Sequence, residues 1–227
     1  MKELVVVEKP NSSFAEEIKK VRTNLMFSKV NDDMKIIMLT SSIPAEGKSF
    51  VSANLSAAFA QADERVLLID CDLRKGRTKK IFNIPPEEKG LSDLLINKNW
   101  KEEYKDYIYK TEVNKLFVMI SGSFPPNPSE LLASDRFEKL LAELKKKFDI
   151  IILDCPPIVG INDALVVASK ADISVLIANC RKTSMEVLEK SKNELEKIGV
   201  KIAGIILNEK ETVDNKYYYY SSYYRDE

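Results

Sequence analysis

The run Met34 to Ser49, MKIIMLTSSIPAEGKS, constrains the fold more than any other part of the chain. An apolar stretch of strand length enters a loop that closes on Gly47-Lys48-Ser49, and a helical pattern follows. A buried strand feeding a turn and then a helix gathers backbone N–H groups and a helix N-terminus around one anion. Lysine at the middle of this ending reaches the β- and γ-phosphates of a nucleotide, and the serine hydroxyl takes one Mg²⁺ position. In the general pattern G-x-x-x-x-G-K-[ST] the first glycine falls on Ser42. The competing explanation, a lysine at a solvated helix start, would leave the flanking strand and helix as coincidence.

Further apolar runs of strand length recur at residues 66–69, 116–120, 150–153, 173–178 and 202–207, after a first at 36–39. Helical stretches separate most of them. Continuous apolarity suits strands covered on both faces, and strand–helix alternation predicts an α/β fold with a doubly wound, mostly parallel sheet. Ligands then bind at the carboxyl edge of the strands. The interval 74–114 is polar and poorly periodic, and predicts short helices and loops.

A chain of 227 residues suffices for one α/β domain with a full core. No run reaches the eighteen or so apolar residues of a membrane span, and the first residues lead into no signal-like segment, so a cytosolic, soluble protein without direct membrane insertion is expected. Basic and acidic residues balance at 35 each, which recommends neither nucleic acid nor an anionic surface as a partner. Histidine is absent, which excludes a Ser-His-Asp triad, a His-ligated zinc and phosphohistidine chemistry in this chain. The cysteines, Cys71, Cys155 and Cys180, are widely spaced and read as reduced core residues rather than a zinc site or disulfide framework.

Ser12 or Ser13 can cap a helix running to about Ser28, with Phe14, Ile18, Val21 and Leu25 on one face. Glu16, Lys19 and Arg22 form a charged stripe on the other side, either solvated or an ionic subunit contact. A Pro-rich loop at 124–128 precedes a predicted helix over 129–147. Six of the nine tyrosines, Tyr217, Tyr218, Tyr219, Tyr220, Tyr223 and Tyr224, crowd the last eleven residues among polar neighbours, a composition that predicts a flexible tail.

Two strands supply carboxylates for phosphate chemistry. LLIDCDLR ends one with Asp70 and Asp72, and IILDCPP ends another with Asp154. An aspartate at a buried strand end is costly unless it is paired or bound to metal, so ordinary turn-forming roles are the weaker reading.

The sequence SIPAEGKS, then LLIDCDLR, then IILDCPP, then the terminal tyrosines, resembles the bacterial tyrosine kinases of capsule and exopolysaccharide systems. The likeness covers nearly the whole chain, including GLSDLL at 90–95 and PNPSELL at 126–132. It implies a P-loop NTPase-type fold, ATP and Mg²⁺ as cofactors, and transfer of phosphate to tyrosine. Ser42, Pro44, Ala45, Glu46, Gly47, Lys48, Ser49 and Phe50 would form the nucleotide loop, with Lys48 also catalytic. Ser49, Asp72 and Asp154 would serve the metal directly or through water, and Asp70 would take the proton from the acceptor hydroxyl. Asn208 stands where related P-loop proteins place an adenine-contacting asparagine. The tail tyrosines would be the phosphoacceptors.

The resemblance further implies a kinase domain over 1–210, with the helix at 12–28 as its oligomerisation element, and a tail over 211–227. The family pattern Glu-x-x-Arg-x-x-Arg reads here Glu16-x-x-Lys19-x-x-Arg22, which keeps the charge but loses one bidentate fork. A homo-oligomer such as a ring is implied, with protein substrates bearing tyrosine. A separate transmembrane activator would hold this cytoplasmic protein at the inner face of the membrane. The main alternative is a partitioning or scaffold P-loop ATPase that phosphorylates nothing, but its signature lysine would fall on position 43, which is isoleucine. A third reading makes the tail a partner-binding segment only.

Overall fold

The computed structural model describes residues 3–27 and 34–209; the predicted tail lies outside them. In chain order the elements are α1 (Val5–Glu8), α2 (Ser13–Phe27), β1 (Ile36–Ser41), α3 (Lys48–Gln61), β2 (Val66–Asp70), α4 (Thr78–Ile81), α5 (Leu91–Ile96) and α6 (Trp100–Glu103). After a 3-10 turn at Tyr104–Tyr107 come β3 (Tyr109–Lys110), β4 (Leu116–Met119), α7 (Pro128–Ala133), α8 (Asp135–Lys145) and β5 (Ile150–Asp154). The chain continues through α9 (Asp163–Ala168), β6 (Ile173–Asn179), α10 (Met185–Lys197) and β7 (Ile202–Asn208).

The seven strands form one sheet in the order β3-β4-β2-β5-β1-β6-β7, parallel except for the β3–β4 pair. Every residue of β1, β2, β5 and β6 is buried, as continuous apolar runs predict for strands covered on both faces. On one face α3 lies against the sheet and α2 against α3. The Ala- and Ser-rich sequence of α3 permits this: nearly all of it is buried, between the strands and the outer helix. Ser12 Oγ accepts from Ala15 N–H and caps α2, and Phe14 packs on Phe50 with ring centroids 5.1 Å apart. The other face is covered by α5, α6, α7, α8, α9 and α10, while Ile81 of α4 and Phe82 join the α2–α3 side.

Four features differ from the sequence expectations. The helix over 129–147 is two, because Ser134 takes an extended ψ of 146° and its hydroxyl caps α8 at Phe137 N–H. The strand β3 is too short, at two residues, to leave an apolar run. Strand β7 is a sheet edge, and its Ile205 and Leu207 are exposed rather than covered. Cys180 is exposed while Cys71 and Cys155 are buried.

Candidate active site

The loop after β1 turns into α3 through two left-handed residues, Ala45 at φ 63° and Gly47 at φ 87°. A Cβ at Gly47 would stand 2.1 Å from Asn208 Nδ2, so glycine is required both by φ and by space. The first intrahelical bond of α3 runs from Val51 N–H to the Gly47 carbonyl. The N–H groups of Lys48, Ser49 and Phe50 therefore precede any helical partner and face the loop's hollow. Lys48 is buried, at 9% exposure.

Beside this loop stand two strand-end carboxylates in direct register, Asp70 on β2 and Asp154 on β5. Asp154 Oδ1 accepts from Ser52 Oγ at 3.1 Å, and its buried Oδ2 has no hydrogen-bond partner among the described residues. Burial raises its carboxyl to about 6, while the Ser49 hydroxyl, the Lys48 charge and Ser52 pull the other way. Asp70 is fully buried. Its Oδ2 accepts from Thr78 N–H at 3.1 Å and Thr78 Oγ1 at 2.7 Å, and its Oδ1 from Asp72 N–H at 3.1 Å. Burial first, and the Asp154 charge second, push it up to about 8 against the Thr78 hydrogen bonds. Asp72 is half-buried and caps the following turn, its Oδ1 accepting from Arg74 and Lys75 N–H.

The donor set fits a Mg-nucleotide. A Gly-Lys-Ser helix start meets a buried carboxylate oxygen with no partner, beside the serine hydroxyl that would share a metal. Two further buried polar atoms without a partner among the described residues, Ser42 Oγ and Asn179 Nδ2, lie on the P-loop itself and at the end of the adjoining β6.

Not every predicted site residue offers its side chain. Glu46 points inward: Oε2 accepts from Ile43 N–H at 2.8 Å, and Oε1 from Asn179 N–H at 3.2 Å and from Thr183 Oγ1. The Phe50 ring is engaged with Phe14. Pro44 and Ala45 are exposed at the loop's crest. Asn208 Nδ2 donates to the Glu46 carbonyl at 2.9 Å, which ties the end of β7 to the P-loop. On α2, Glu16 pairs with Lys19 at 2.7 Å, whereas Arg22 turns back to donate to the Ala58 carbonyl at 3.0 Å. The six tail tyrosines lie outside the described residues.

Sequence reasoning missed three supports of the site. Ser52 sits one turn after Ser49, a spacing that could have been read. Thr78 holds Asp70 from eight residues on, without a sequence signal. Asp163, at the start of α9, is fully buried and takes Arg74 Nε at 2.8 Å and Nη2 at 3.3 Å while also accepting from Ser129 Oγ. It pins the loop that carries Asp72 to α7 and α9.

A parallel sheet with a Gly-Lys-Ser loop at its carboxyl edge and acidic ends on two further strands defines a P-loop nucleoside-triphosphatase-type protein. A profile of the family described as AAA domain matches residues 34–207. The chain is 40% identical over 217 residues to CapB of Staphylococcus aureus, covering 96% of this chain and 93% of that one. It is 36% identical over 220 residues to the tyrosine-protein kinase YwqD of Bacillus subtilis (strain 168), covering 96% and 91%. The solved kinase domain of the Escherichia coli tyrosine kinase ETK superposes with a TM-score of 0.87 at 35% identity, over 94% of this chain and 83% of that one. The match to full-length etk of strain K12 spans 28% of its length. The chain belongs to the bacterial tyrosine kinases, enzymes that transfer phosphate to protein tyrosine.

Proposed function

We propose that this chain moves the γ-phosphoryl group of Mg-ATP to tyrosine hydroxyls, its own terminal cluster first, and so regulates capsular or exopolysaccharide synthesis. The observation that carries the reading is the register pair Asp70 and Asp154 beside Lys48 and Ser49. The backbone N–H groups of residues 47–50 and the Lys48 ammonium bind and orient the phosphates. Ser49 and Asp154 hold the metal, with Asp72 reaching it directly or through water. Mg²⁺ supplies charge neutralisation on the phosphates when bound. Asp70 in its ionised form accepts the phenolic proton: burial raises it to about 8, which makes that form a far better base toward a tyrosine of pKa ~10 than an ordinary carboxylate. Asn208 stays near the nucleotide through the P-loop carbonyl that it holds.

Transfer runs in trans within a homo-oligomer, through the α2 face that carries Glu16, Lys19 and Arg22. No helix among the described residues is long and apolar enough to cross a membrane. In this reading a separate transmembrane protein recruits the chain to the inner membrane face and activates it.

Intact mass of the protein before and after Mg-ATP, beside Lys48→Met, tests the reading. Several phosphate additions mapping to Tyr217 through Tyr224, and missing in Lys48→Met, are expected. An unmodified protein that hydrolyses ATP even with an activator peptide present would refute it.

A further inference from the structure

Between Asp72 and Glu87 the sequence LRKGRTKKIFNIPP carries five cations and no carboxylate, in a chain whose formal net charge is zero. This segment is not a remote surface run. Its backbone folds around the two aspartates of β2: Asp72 caps residues 74 and 75, and Thr78 gives both its N–H and its hydroxyl to Asp70. Gly76 makes the approach possible, since a Cβ there would stand 2.6 Å from Asp70 Oδ2 and 2.2 Å from Ser121 Oγ. With the backbone drawn inward, Lys75, Arg77 and Lys80 are exposed and Lys79 is half-buried. Arg74 is committed to Asp163. Among the described residues no carboxylate lies within ion-pair distance of Lys75, Arg77, Lys79 or Lys80. Four cations without an ion-pair partner among the described residues thus lie on the segment whose backbone folds around Asp70, and form a basic rim there.

Their position separates them from the nucleotide. In the strand order β2-β5-β1-β6-β7 the P-loop springs from the middle strand, and Asn208 ends the last. At ~4.8 Å per strand, β2 stands ~10 Å from the P-loop strand and ~19 Å from β7. The basic rim therefore flanks the acceptor side, beyond the reach of phosphates cradled at the helix start. A tyrosine presented to Asp70 brings its neighbouring residues to the side of the site that carries this segment.

We infer that the segment Lys75–Lys80 is an acceptor-docking surface for tyrosine segments made anionic by acidic residues and, above all, by phosphotyrosine, with this chain's own terminal cluster as its occupant. The inference rests on the kinase reading. Residues 217–227 carry one arginine against Asp226 and Glu227, and each phosphate adds about −1.5 to −2 charges. Cation clusters recognise such groups through charge-assisted hydrogen bonds. The first phosphate placed on the tail therefore tightens its docking and favours the next transfer, so that crowded tyrosines are filled in succession.

The test is fluorescence anisotropy with labelled peptides of residues 215–227, unmodified or phosphorylated at Tyr218 and Tyr220. The binding protein is the full-length, unphosphorylated chain saturated with Mg-ADP, which fills the P-loop. The phosphorylated peptide is expected to bind about tenfold tighter at physiological salt, with the preference shrinking as salt rises. In the variant Lys75→Glu/Arg77→Glu/Lys80→Glu the two peptides should bind within about twofold of each other. Equal binding by the unaltered protein overturns the inference, as does a preference that survives the charge reversal. Displacement by single-stranded DNA of equal charge as readily as by phosphopeptide also overturns it, in favour of a general polyanion surface. Binding of a fluorescent ADP analogue, measured on the same samples, separates these outcomes from a failure of the nucleotide site.

Discussion

Replacing Asp70 with asparagine should abolish phosphotransfer and yet make the metal-free protein more stable. Burial raises this carboxyl from an ordinary 3.8 to about 8. Between those values the folded chain holds a proton that the unfolded chain has released, so stability falls as pH rises through the window. Each pH unit costs ~1.4 kcal/mol, so Asp70 withholds about 4 kcal/mol at pH 7, most of which accrues between pH 5 and pH 7. Asparagine escapes this term but loses part of it elsewhere. Its oxygen can serve Thr78, which leaves its NH₂ facing the Asp72 N–H that Oδ1 now accepts. Opposed donors cost ~1–3 kcal/mol, for a net gain of about 1–3 kcal/mol at pH 7. Asp154, raised to about 6, adds a slope of the same sign below pH 6 that both proteins share. Urea unfolding in EDTA at pH 5, 7 and 8.5 measures the difference, while peptide phosphorylation with Mg-ATP should fall ~10²–10⁴-fold. A variant less stable than the parent at pH 8.5, with parallel pH slopes in the two proteins, would refute the assignment of Asp70 as a carboxyl whose ionisation burial opposes.

Arg74→Ala should destabilise by ~1–3 kcal/mol, because it leaves the buried Asp163 carboxylate with Ser129 alone, and adding Asp163→Asn should return part of that loss in urea unfolding. Arg74→Lys should recover less than half, since the two guanidinium contacts need the planar fork. Titration with an aromatic disulfide reagent should find one fast thiol, Cys180, and two that react only on unfolding. Cys71 and Cys155 are buried, and burial together with the Cys71 contact pushes the Cys155 thiol well above its ordinary value.

Most of the scaffold was legible because its signals are redundant. Four strands with every residue buried leave unbroken apolar runs, and the P-loop adds a composition that little else explains. The three aspartates could be grouped in advance because parallel strands end on one edge. What escaped was either short or supplied by distant residues. Ser134 breaks a helix whose composition is helical on both sides, and only its hydroxyl's capping of Phe137 N–H shows where. Ile205 and Leu207 read as core because an edge strand can carry the same residues as a central one. Asp163 follows Gly-Ile-Asn and reads as a turn residue; its burial and its hold on Arg74 depend on α7 and the β2 loop arriving beside it.

The serine at position 42, where the general P-loop pattern has glycine, is accommodated by side chains rather than by backbone freedom. Ala45 is held left-handed without being glycine, a conformation that costs on the order of 1 kcal/mol and persists only when its surroundings fix it. Glu46 provides that fixing: one carboxylate oxygen closes the loop on Ile43 N–H, and the other ties it to Asn179 and Thr183 after β6. From β7, Asn208 adds a bond to the Glu46 carbonyl, in the space that the missing Cβ of Gly47 leaves. The phosphate loop is thus shaped from the β6–β7 side, while Asp70 and Asp72 are set from the β2 side by Thr78 and the Arg74 N–H, and Asp154 is held by Ser52 of α3. Nucleotide binding and proton acceptance rest on two different frames that share the β1–β5 strand pair. Loosening Asn208 should then weaken nucleotide affinity and leave the acceptor side in place, and loosening Thr78 should do the reverse.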